Sequence, residues 1–108
     1  MRQLTRTEFR RPLDPIAAVS GALRGRLEAL GVVFGEDDDP GLPSRSQTAA
    51  VELAMGVQFA FEHFFDYGDG DITIRSEHGA TPQTRLAQLR AIVPIAAAEI
   101  RYSADAWE

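Results

Sequence analysis

Residues 46–66 are dominated by apolar side chains, and any fold of this chain has to be built around burying them. Laid out at about 100° per residue, Ala50, Leu53, Ala54, Val57, Phe61, Phe64 and Phe65 share one wide face. Thr48, Glu52, Glu62 and Asp66 lie opposite. Ser44 or Ser46 supplies an N-cap, and Tyr67-Gly68-Asp69-Gly70 is turn chemistry that ends the run. This spacing predicts a central helix over 46–66. A second ridge, Val51, Met55 and Phe59, recurs at i, i+4 between the polar residues and continues to His63. On a helix such a ridge is either covered by another element of the chain or offered to a partner, and Met and Phe suit a hydrophobic contact.

Two further helices are predicted on either side. Asp14-Pro15 pairs an acidic N-cap with a proline at the first helical position. Ile16, Val19, Leu23, Leu27 and Leu30 then recur at helical spacing, and Gly31 is the stop, giving a helix over 15–30. Thr81-Pro82 repeats the cap-then-proline start. Leu86, Leu89, Val93, Ala97 and Ile100 extend that helix to 82–101, with a kink or break expected near Val93 because Pro94 lacks an N–H. Residues 71–76, Asp-Ile-Thr-Ile-Arg-Ser, alternate cleanly and predict a strand. Its partner is expected in residues 3–10, in 32–34 or in another subunit. The predicted fold is therefore α+β, with three main helices over 15–30, 46–66 and 82–101 and a small sheet that includes 71–76.

A chain of 108 residues with 44% hydrophobic and 25% charged residues fits one globular domain. Within it, residues 1–11 are expected as an arm or edge strand, 35–45 as an acidic Pro/Gly loop and 103–108 as a mobile tail. With no cysteine, disulfides, thiol catalysis and thiolate metal sites are excluded. The first residues lack the apolar core of a signal peptide, and no stretch approaches the ~20 apolar residues of a membrane span, so the expected location is cytoplasmic and no membrane partner is expected. All eleven basic residues are Arg. A GC-rich coding bias accounts for this, and so would selection for guanidinium contacts.

Charge is unevenly placed. Residues 1–26 carry six Arg against Glu8 and Asp14, for +4, whereas 27–108 carry five Arg against fourteen acids, for −9. The acidic run Glu36-Asp37-Asp38-Asp39 offers Asp37, Asp38 and Asp39 to a basic partner, or keeps its loop in water. Arg2, Arg6, Arg10, Arg11, Arg24 and Arg26 could meet phosphates, but the net acidity and the lack of a recognition motif argue against nucleic acid.

Signals for chemistry are sparse. Glu62, His63 and Asp66 would be neighbours on a helix and could share a divalent ion, although neither the His-Glu-x-x-His zinc pattern nor a calcium-loop spacing is present. No serine lies in a nucleophile elbow, and no glycine-rich phosphate loop follows a strand. The expected function is a non-enzymatic protein-interaction or assembly module without a cofactor, self-associating or part of a larger complex. Val51, Met55, Phe59 and the three aspartates are its contact residues. The alternatives are a small acidic inhibitor or antitoxin-like protein that masks a basic surface, and a metal-binding module or metal-dependent enzyme built on Glu62, His63 and Asp66.

Overall fold

The computed structural model describes residues 1–5, 13–36, 46–64 and 70–103. Their order is β1 (Arg2–Gln3), β2 (Asp14–Ser20), α1 (Leu23–Ala29), β3 (Gly35–Glu36), β4 (Ser46–Glu52), β5 (Gln58–Phe64), β6 (Asp71–Ser76), α2 (Pro82–Arg90), a 3-10 turn (Ala97–Glu99) and β7 (Ile100–Ser103). Among the described residues there are thus two helices and a largely antiparallel-sheet architecture. Six strands run in the order β1-β4-β5-β6-β2-β7, and β3 also pairs with β4. The expectation of three main helices with a small sheet is overturned.

The largest correction falls on 46–66. This stretch is a β-hairpin, with β4 and β5 paired continuously from Ser46↔Phe64 to Glu52↔Gln58. Its loop is Ala54-Met55-Gly56. The Leu53 N–H donates to the Val57 carbonyl at 2.9 Å, and the Gly56 N–H donates to the Leu53 carbonyl at 2.8 Å. Gly56 sits at φ +88°, the left-handed conformation that ends a three-residue hairpin loop. Glycine reaches that region without a Cβ clash, so the residue that would weaken a helix is here what turns the chain. Along the hairpin, Ala49, Val51, Phe59 and Phe61 point to the core, while Thr48, Glu52, Gln58 and Glu62 point the other way.

The predicted first helix divides in two. Asp14-Pro15 opens a strand, where proline is accepted at the start because β7 joins β2 only from Ala17 onward. A register shift between Pro15 and Ala17 lets Ile16 and Ala17 both be buried. Helix α1 keeps only Leu23 and Leu27 of the helical stripe in the core. Gly31 does stop it, at φ +92°. The Gly31 N–H donates to Glu28 O at 2.9 Å and the Val32 N–H to Leu27 O at 3.0 Å, which is the Schellman pattern with Val32 and Leu27 both buried.

The third helix starts where the sequence indicates. Thr81 Oγ1 accepts from the Thr84 N–H at 3.1 Å, and Pro82 occupies the first turn. It ends at Arg90, four residues before Pro94. Residues 91–96 are irregular, and Ile100–Ser103 turn into the edge strand β7. Strand 71–76 is present as predicted, but its partners are β5 and β2, not 3–10 or 32–34.

Both helices cover one face of the sheet. Their Leu23, Leu27, Leu86 and Leu89 join Val19, Val51, Phe59, Phe61, Ile72 and Ile74 in one continuous core. At about 25 cal/mol per Å² of buried apolar surface, that shared layer is the main source of stability. Edge strands β1 and β3 lie end to end along β4. Gln3 joins them: its side-chain amide donates to Val33 O at 2.6 Å and accepts from the Val33 N–H at 2.9 Å. Of the segments singled out in the sequence, residues 6–11 of the arm, 37–45 of the acidic loop and 104–108 of the tail lie outside the described residues.

Candidate functional site

Successive residues on a strand point to opposite faces, and this separates the proposed metal ligands. Glu62 lies on the face away from the helices, ion-paired with Arg75, which also donates to Leu13 O at 3.1 Å. His63 lies on the helix face and is 6% exposed. Asp66 is outside the described residues. The geometry therefore does not let Glu62 and His63 share an ion, and among the described residues no group of three or more His, Asp or Glu could hold a metal.

His63 is instead part of the packing between α1 and the sheet. Arg24 Nη1 lies 3.2 Å from its Nδ1. A guanidinium only donates, so Nδ1 is the acceptor in this contact. Phe34 meets the imidazole edge-on at 6.5 Å and 73°, and its face lies under the Arg24 guanidinium at 4.8 Å, a cation–π contact. Arg24 also pairs with Glu28 one turn along α1 at 3.4 Å. Gly70 closes the cluster: at φ +69°, a Cβ there would collide with Phe64 O and stand 3.3 Å from His63 Nε2. A buried imidazole with Nδ1 engaged in this way fastens α1 and Phe34 to β5.

The Val51–Met55–Phe59 ridge also takes a new form. Val51 and Phe59 are cross-strand partners, both fully buried under the helices. Met55 is at the hairpin tip and 60% exposed. Asp37, Asp38 and Asp39 lie outside the described residues.

Met55 is one of a group that the sequence reading did not single out. Among the described residues, the large exposed apolar side chains are Met1, Leu30, Val33, Met55 and Ile92. Met1, Val33 and Met55 are each linked to β1 or to the end of β4 that it pairs with. Arg2 pairs with Glu52, so Met1 enters the sheet beside the strand end that leads into the Met55 loop. Val33, 70% exposed, is held to β1 by the two Gln3 bonds. Leu30 caps α1 three residues before it. Leu30 and Val33 flank the Gly31 stop, where a helical stripe no longer dictates burial.

The other exposed apolar stretch is 91–98, Ala-Ile-Val-Pro-Ile-Ala-Ala-Ala, in which only Val93 and Ile95 are buried. Arg26 anchors it, donating to Pro94 O at 2.9 Å and to Glu99 Oε1 at 2.7 Å. Glu99 Oε1 also accepts from the Ala96 N–H at 3.0 Å. The Arg26 hydrogen bond, and after it the Ala96 N–H, hold the Glu99 carboxyl below its ordinary range.

Among the described residues no helix is long and apolar enough to cross a membrane. No protein-family model matches the chain, and neither a curated protein nor a solved structure matches it.

Proposed function

We propose that this chain is a non-enzymatic interaction or assembly module, and that it meets its protein partner, or a second copy of itself, through the border formed by Met1, Leu30, Val33 and Met55. The observation that carries this reading is that the large exposed side chains Met1, Val33 and Met55 flank β1 and the hairpin end it pairs beside, with exposed Leu30 three residues before Val33 in the chain. Single exposed apolar residues are normal on a protein surface; a contiguous group is the form that contact sites take. The two methionines add adaptability, since an unbranched thioether fits irregular partner surfaces. The contact is made by side chains, because β1 and β3 are two residues each and present little free strand edge for sheet extension.

The test is the double variant Val33→Asp/Met55→Asp. Both side chains are mostly in water, so melting should stay near wild type. The mass of the wild type by light scattering should rise with concentration, or a partner should be retained from its native host, and the variant should lose that behaviour. A wild type that is monomeric at every concentration and retains nothing, or a variant that associates unchanged, overturns the proposal.

A further inference from the structure

We draw no further inference here: the strongest candidate, the exposed apolar stretch 91–98 on the helix layer between α2 and β7, carries nothing because nothing in the structure shows what covers it.

Discussion

Val51, Met55 and Phe59 stand four residues apart, and truncating the last two separates a helical ridge from a hairpin. On a helix ridge Met55 and Phe59 would share an environment. In the structure Phe59 is 0% exposed, between Val51 on one neighbouring strand and Ser76 on the other, whereas Met55 is 60% exposed in a loop. Phe59→Ala removes a fully packed ring from under both helices, and such changes cost about 3–5 kcal/mol. Met55→Ala loses only the buried minority of a side chain worth about 1.5–3 kcal/mol when fully buried, so its cost should stay below about 1 kcal/mol. A domain of this size is stable by about 5–15 kcal/mol, so the first change removes a large fraction and the second little. Urea unfolding followed by far-ultraviolet circular dichroism measures both. The expected result is a large fall in midpoint for Phe59→Ala with an unchanged slope, and a midpoint near wild type for Met55→Ala. Equal losses from the two variants would refute the hairpin placement.

Gly70→Ala is expected to be strongly destabilising, because a left-handed φ costs a residue with a Cβ about 1–2 kcal/mol and the added carbon must also clear the Phe64 carbonyl; thermal melting checks it, and a wild-type midpoint would contradict the Gly70 conformation. Arg85→Lys should lower stability by about 1–3 kcal/mol, because the buried guanidinium donates to Glu77 O, His78 O and Gln88 Oε1 together and an ammonium cannot span all three; calorimetry measures the loss. Glu99 has its folded carboxyl held below the ordinary range, so its contribution is complete above the unfolded-state value of about 4.3 and disappears as pH falls through the lower folded value. Glu99→Gln should therefore flatten the acid limb of a stability–pH curve, and a limb identical to wild type would contradict the Arg26 contact.

Why the sequence misled at 46–66 has a specific cause. Spacing of i, i+4 keeps residues on one side of a helix, but it also keeps them on one side of a strand, because four is a multiple of two. Val51, Met55 and Phe59 satisfy both periods. What separates them is the i+2 pattern, Val51-Leu53 and Val57-Phe59-Phe61, which places only core-side residues at odd positions. Ala50, Ala54 and Ala60 blurred it, since alanine reads as apolar on either face and as a strong helix former. At 71–76 no alanine intervenes, and the strand was legible. The ends of elements were also legible where the backbone needs a particular residue: Gly31 with its positive φ, and Thr81 with its side-chain cap. The site was less so. Glu62 and His63 are about 100° apart on a helix but on opposite faces of a strand, so the error in secondary structure became an error in chemistry. Leu30 and Val33 were not legible as exposed, because exposure at the end of a helix depends on what packs over it.

The absence of lysine acquires a structural counterpart. Arg26 donates to Pro94 O, Arg75 to Leu13 O, Arg85 to Glu77 O and His78 O, and Arg90 to Ile95 O. Each of these carbonyls lies at the end of a strand or in a connection, where backbone acceptors lack a ladder partner and still need a donor. Arg26 and Arg75 each carry a second bond to a carboxylate as well, to Glu99 and Glu62. At Arg75 the planar fork joins the Leu13 carbonyl, through Nη1, to the Glu62 carboxylate, through Nε, a spread that a point-like ammonium meets poorly, whereas Arg26 reaches both of its acceptors from Nη1. Coding bias can set how often arginine occurs, but it does not place guanidinium groups against loop carbonyls. Lysine at all four positions should therefore loosen the connections before it melts the sheet, and amide exchange would read this as faster opening at Ile95–Glu99 and Glu77–Ala80 with β5 and β6 still protected.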